Sequence, residues 1–318
     1  MSLSETVPAS APAPATGPSM AIDDSPLEAR RTRLTARVFG HVGLRIGGFI
    51  VLTILIVAIF APWIVPHDPY LQDLGNRRVP PIWHSWFYDA AAASWTHPLG
   101  TDNIGRDYLS RLIYGARISM LIGVLAMVIS GLVGTALGVA AGYFGGRVDM
   151  AVNFVITTRL SVPLILVALA VVSIYGGSIK IIVIVLGCLI WDRFAVVMRS
   201  VTMQVRNLEY VTAAQAIGCS PLRIIMTEVL PNVANALVVV ATLEMAHAIL
   251  LEATLSFLGL GVQPPEPSWG LMLAEAKGDM FFNPWMITIP GVALFALVMG
   301  INMLGDGLRD VSAPENRN

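Results

Sequence analysis

Four ionisable side chains stand where the sequence is otherwise most apolar: Arg159, Glu244, His247 and Glu252. In the run at about 235–258, Glu244 and His247 are i,i+3 neighbours on a helix. Glu244 and Glu252 lie two turns apart on nearly one face. A charge at the bilayer centre costs about 2.5–3.5 kcal/mol on insertion scales, so these groups must face a bundle interior or water, or stay protonated. They could line a path for a polar solute, relay protons, or act as hydrogen-bonded helix glue. Arg159, near Pro163 in another apolar run, must face protein or water, or snorkel. No nucleophile–base pair accompanies them. Neither Cys188 nor Cys219 has metal-ligand spacing, and both read as structural thiols. The chain has no Gly-x-x-x-x-Gly-Lys-[Ser/Thr] loop for ATP. The expectation is therefore no catalytic residue, no metal and no cofactor bound by this chain.

Composition says what must hold these groups. Of 318 residues, 55% are hydrophobic and only 13% charged, with mean hydropathy +0.71, outside the usage of soluble domains. A net charge of −1 provides no basic field for nucleic acid. The sequence predicts an all-α polytopic membrane protein with six transmembrane helices. Residues 1–40 read as a disordered cytoplasmic tail, rich in Ser, Pro and Ala and not a secretory signal. Arg30, Arg31, Arg33 and Arg37 then hold the N-terminus in the cytoplasm. Residues 41–66 are the first span, and 67–116 an extracytoplasmic loop with an interfacial helix. Residues 117–306 form a core of five further spans, including a cytoplasmic loop at 200–232, and 307–318 a cytoplasmic tail. Within the core the spans are expected near 118–143, 151–174 (broken at Arg159 and Pro163), 178–198, 235–258 and after Pro284-Trp285. Trp191, Asp192, Arg193 and Arg199 are expected at the cytoplasmic end of the fourth. Gly134 and Gly138 form a small-xxx-small pair that permits close helix contact.

The stretch 210–232 interrupts two apolar runs and reads as two short helices. Gly218 ends the first in a left-handed cap, Ser220 caps the second, and Pro221 takes its first position. Leu222, Ile225, Met226 and Val229 recur at helical spacing, and Pro231 closes the unit. Such a bend between spans is suited to docking. Ala213-Ala214, Gly218 four positions on, and Leu230-Pro231-Asn232 resemble the EAA loop of ABC-transporter permease subunits, with Thr212 and Glu228 as departures from the family's Glu and His. The resemblance implies an ATPase-coupling role for Ala213, Ala214, Gly218, Ser220, Pro221, Leu222, Arg223, Leu230 and Pro231.

Two further runs resemble the dipeptide/oligopeptide branch of these permeases, specifically its second-listed subunit. One is His-Pro-Leu-Gly-Thr-Asp-Asn-Ile-Gly-Arg-Asp at 97–107. There Thr101 or Asp102 can start a helix and Asp107 pairs with Arg111 at i,i+4, making an elbow or a substrate contact. The other, at 251–270, includes Glu252 in a run where the family expects Glu whatever the solute, which favours a structural role. In the third span, Phe154 and Thr157 stand where relatives often carry Arg and Asp.

The resemblance implies a type I ABC importer permease with the MetI-like fold in the bacterial cytoplasmic (inner) membrane. Its partners would be a homologous second permease, two cytoplasmic ATPase subunits carrying ATP and Mg, and an extracytoplasmic solute-binding protein. The solute would be a dipeptide or oligopeptide; nickel, a metal chelate or glutathione is the neighbouring alternative. An ion-coupled secondary transporter, with Glu244, His247 and Glu252 as a proton relay, is a reading from another class.

Overall fold

The computed structural model describes residues 41–87 and 93–312. Residues 1–40, 88–92 and 313–318 lie outside them, and with them the expected N-terminal tail. The longer helices are α1 (Val42–Ile64), α2 (Tyr108–Phe144), α3 (Gly146–Leu160), α4 (Leu164–Tyr175), α5 (Ile179–Leu189), α6 (Asp192–Arg206), α7 (Glu209–Ala216), α8 (Pro221–Ile224), α9 (Leu230–Phe257), α10 (Trp269–Ala276) and α11 (Trp285–Ser312). Five helical stretches are long and apolar enough to cross a membrane; α3 and α4, bent by 79°, make a sixth if taken as one span. Helices suit this setting because every backbone group is satisfied within its own segment.

Several boundaries differ from the expected ones. The 37-residue α2 takes in residues 108–116 as its first turns, so they continue into the span instead of belonging to the loop. Its cap is Asp107, not Thr101 or Asp102: Asp107 Oδ2 accepts from the Ser110 amide at 2.8 Å, and no breaker follows. At about 1.5 Å per residue, α2 outruns the ~30 Å hydrocarbon layer, so its first turns stand clear of it. α5 and α6 act as one span over Ile179–Arg206, which puts Trp191, Asp192 and Arg193 near its middle rather than at its end. α11 runs to Ser312, so residues 307–312 are helix and not tail.

Two ends can be told apart by contact. His41 Nε2 lies 3.0 Å from Asp310 Oδ2, bringing the start of α1 and the close of α11 together. The α2–α3 turn and the 207–220 bend share that end. At the other end sit residues 65–87 and 93–107, the turn at Gly176-Gly177 and the 258–284 segment; Gly177 packs on the backbone of Gly261.

The bundle closes around α2. Gly134, Gly138 and Gly142 face Trp191, which caps α6, and Ala195 and Arg199 within it, each pair one step of four residues on. A Cβ on Gly138 would lie 2.5 Å from the Ala195 carbonyl and one on Gly142 2.7 Å from that of Arg199. The two backbones touch because no side chain intervenes.

At the far end an ionic lock joins the loops. Arg106 Nε is 2.6 Å from Asp102 Oδ2, and Arg106 Nη2 reaches Glu275 at 2.9 Å. Arg111 Nη1 meets Asp102 Oδ2 and Glu275 Oε2, each at 2.6 Å. Arg111 thus pairs with Asp102 and Glu275, not with Asp107 as its spacing suggests, because Asp107 is occupied at the helix cap. Burial disfavours the Asp102 carboxylate. The Arg111 and Arg106 guanidiniums outweigh that and hold its pKa below the usual carboxylate range.

Two predictions follow from this packing. Gly138→Ala should cost about 1–3 kcal/mol by overpacking, read as a lower melting temperature in detergent, while Gly278→Ala, whose Cβ meets nothing within 4 Å, should leave melting unchanged. Asp102 has a folded pKa below its unfolded value of about 3.9, so its contribution is complete above that value and is lost as pH falls through the folded pKa. The protection factor of the amides at residues 101–107, which is exchange measured against the intrinsic rate at each pH, should therefore be steady from pH 7 to 5 and fall below about pH 4.

Candidate functional site

The 207–220 bend is built by capping. Ile217 ends α7, and Gly218 follows at φ +83°. The Gly218 amide donates to the Gln215 carbonyl at 3.0 Å and the Cys219 amide to that of Ala214 at 3.1 Å, the paired bonds of a Schellman cap. A Cβ on Gly218 would meet nothing within 4 Å, so glycine is needed there for backbone conformation alone. Ser220 Oγ accepts from the Arg223 amide at 3.4 Å, with Pro221 at the first position.

Pro231 does not close the unit. Residues 225–229 form a π-turn in which the Leu230 amide donates five residues back to Ile225, and α9 continues through Pro231. The wider turn accommodates a residue with no N–H. Thr227 Oγ1 and Asn232 Nδ2 supply extra donors to the carbonyls of Arg223 and Glu228. One helical stretch therefore spans Pro221–Phe257.

Helical spacing alone assigns the inner face wrongly. Val211, Ile224, Val229 and Val233 are buried, packed with Val139 and Tyr143 of α2 and Met198 and Val205 of α6. Ala214, Ile225 and Leu230 are half-buried against the same cluster. Leu222 and Met226 point outward at 71% and 58% exposure, joined by Ile217 at 81%. Ala213, Gly218, Ser220, Pro221, Arg223 and Pro231 are also exposed. Ile217 was not among the expected coupling residues; an isoleucine next to a helix-ending glycine is the available signal for it. At the departures, Thr212 Oγ1 donates to the Glu209 carbonyl of its own helix, and Glu228 Oε1 accepts from Thr227.

The mid-span charges form three separate groups. Glu244 is buried; its Oε1 lies 3.2 Å from Arg193 Nη1 and its Oε2 3.3 Å from His247 Nδ1. Arg159 contacts Asp192 at 3.5 Å and donates to the Leu189 carbonyl. Glu252 is fully buried, and its Oε1 accepts from Ser256 Oγ at 2.7 Å and Ser268 Oγ at 2.8 Å. Because Ser268 caps α10, Glu252 ties α9 to the 258–284 segment. The structure thus joins Glu244 with His247 and sets Glu252 and Arg159 apart from them. Arg193 completes the first group, and its side chain is 60% exposed in the middle of a span. It was missed because the fourth span, expected over 178–198, was ended too early, leaving Arg193 at an expected interface.

Known proteins bear on both features. Residues 134–318 match the family described as binding-protein-dependent transport system inner membrane component, and residues 36–81 match the N-terminal transmembrane domain of oligopeptide transport permease C. The chain is 39% identical to the di/tripeptide transport system permease protein DppC of Pseudomonas aeruginosa, over 96% of this chain and 97% of that protein. It is 37% identical to the dipeptide transport system permease protein DppC of Haemophilus influenzae, covering 86% and 90%. It is 36% identical to the glutathione transport system permease protein GsiD of Escherichia coli, covering 86% and 87%. Among solved structures, an inward-facing MetNI methionine ABC transporter shares the fold, with TM-score 0.54 and 16% identity over 64% of this chain and 97% of that one. The buried ion pairs between apolar spans, the capped bend and these matches agree: the chain is a permease subunit of the binding-protein-dependent transport system inner membrane component family, with the N-terminal domain of the oligopeptide permease C type.

Proposed function

We propose that this chain is the second permease of an ATP-driven importer of dipeptides or oligopeptides. It pairs with a distinct permease, two cytoplasmic ATPase subunits that bind ATP and magnesium, and an extracytoplasmic binding protein. The observation that carries this is the bend: Ile217, Leu222 and Met226 stand exposed on a rigidly capped turn, an apolar surface suited to a groove in a soluble partner. The names of the relatives support peptides as the solute. On this reading the bend, both termini and the α2–α3 turn are cytoplasmic, and the 67–107 loop faces outward.

The bend is a lever. Force on Leu222 or Ile217 passes through Ile224 and Val229 into Met198 and Val205, and so along α6 to Arg193. ATP acts by binding one of two bundle arrangements better than the other. A mid-span guanidinium cannot face lipid without cost, so Arg193 faces the seam between the two permeases. There it meets a peptide carboxylate, and Glu244, steadied by His247, neutralises it between passages. Arg159 and Glu252 hold helices together away from that seam.

The proposal is tested in proteoliposomes containing the full set of subunits. ATP-dependent uptake of a labelled dipeptide is expected, with none when the ATPases are omitted; uptake driven by a proton gradient without them would overturn the reading. Competition by glutathione separates the second reading, which the Escherichia coli relative favours. Gly218→Val, forced into the left-handed region at roughly 1–2 kcal/mol, should insert normally yet lose solute-stimulated ATPase activity; intact stimulation would remove Gly218 from coupling. Glu244→Gln should weaken a charge-assisted bond of about 1.5–3 kcal/mol. Uptake should then fall about tenfold or more, with subunit assembly retained on size-exclusion chromatography.

A further inference from the structure

Away from both features, three metal-ligating side chains converge where α1 ends and α2 begins. His67, His97 and Asp107 each offer one donor atom, and these atoms all lie within 4.8 Å of one another. His97 Nδ1 is 2.8 Å from Asp107 Oδ1 and His67 Nδ1 is 3.8 Å from the same oxygen. The imidazole rings lie 4.8 Å apart, centre to centre. A tetrahedral ion with arms of about 2.0–2.1 Å needs donors roughly 3.3 Å apart, midway between these two separations. The remaining pair of donors lies within 4.8 Å, so the rings must close on a bound ion.

Two further observations favour an ion over a plain hydrogen-bonded pair. His67 Nδ1 is buried and has no hydrogen-bond partner, a state that carries a desolvation cost unless something is bound there. The donor atoms are also held from behind. Asp107 Oδ2 accepts from the amide and hydroxyl of Ser110, leaving Oδ1 for the two imidazoles. Ser110 Oγ in turn accepts from the His67 amide at 3.2 Å. Such outer contacts fix ligand direction in built metal sites. Ordinary spacing rules do not reveal the group, because its members come from both ends of a long loop.

We propose that His67 Nδ1, His97 Nδ1 and Asp107 Oδ1 bind a first-row divalent cation of the zinc class, which staples the exit of α1 to the entry of α2. Two imidazoles and one carboxylate are a donor set for borderline cations rather than for calcium or magnesium. The fourth position is left for water. The proposal does not depend on which solute the permease carries.

The test uses full-length protein purified in detergent with the subunits that accompany it, its tag removed and its metals stripped with EDTA. Zinc chloride is titrated against a chromophoric competitor, with melting followed in parallel. One site per permease chain is expected, with a melting temperature raised by zinc. His67→Gln should lose that site, or bind at least about tenfold more weakly, since even outer-shell changes cost 10–100-fold, and should lose the zinc-dependent rise in melting. Equal stoichiometry and affinity in both proteins, or no zinc bound by the wild type, overturns the proposal. If His67→Gln does not fold, zinc K-edge absorption on the wild-type protein decides: a shell of two imidazoles and oxygen is expected, and one without imidazole or with thiolate sulfur refutes it.

Discussion

The backbone contact of α2 with α6 is the constraint from which the other features take their positions. Gly134, Gly138 and Gly142 let α6 lie against α2 with carbonyl groups at van der Waals range. Once that contact forms, three consequences are fixed. Phe194 and Met198 turn inward and are fully buried. Asp192 and Arg193, adjacent in sequence, point to different partners: Asp192 to Arg159, and Arg193 to Glu244. The far end of α6 meets the valine and isoleucine cluster beneath the bend. A protein interior at close-packed density does not deform smoothly, so α6 and the cluster beneath the bend make one packed unit.

The charges divide by what surrounds them. The lock of Arg106, Arg111, Asp102 and Glu275 is balanced, two of each sign, and closes two loop segments on each other. Its geometry is that of an elbow, with Arg106, Arg111 and Asp102 all withdrawn from solvent. The group of Glu244, Arg193 and His247 is different, since Arg193 remains open to whatever lies beside the bundle. A buried ion pair is weak evidence for stability, because desolvation offsets much of its attraction. An exposed guanidinium at mid-depth is better evidence for a wet or partnered surface. Glu252 belongs to neither group; its serine partners make it a tie between α9 and the cap of α10.

Much of this was legible in residues alone. The apolar runs announce a multi-span helical protein, and the Gly218-Cys219-Ser220-Pro221 sequence announces a capped turn, because those residue types act within one turn of themselves. The Gly134/Gly138 pair announces a close helix contact for the same local reason. Boundaries were less legible. Pro231 reads as a stop, yet a π-turn carries the helix through it, with Thr227 and Asn232 donating to the neighbouring Arg223 and Glu228 carbonyls. Asp107 and Arg111 have the spacing of an ion pair, yet Asp107 caps α2 through Ser110 and Arg111 turns to Asp102 and Glu275.

The amino-acid order by itself determined the class, the bend and, apart from Asp192 and Arg193, the charges that must avoid lipid, since transfer cost and capping are properties of short segments. Tertiary structure decided which charges meet. Arg193 joins Glu244 across 51 positions, Arg111 reaches Glu275 across 164, and His67 comes to His97 and Asp107 at the rim of α2. These pairings depend on how helices cross, and a crossing is set by packing surfaces that no single segment contains.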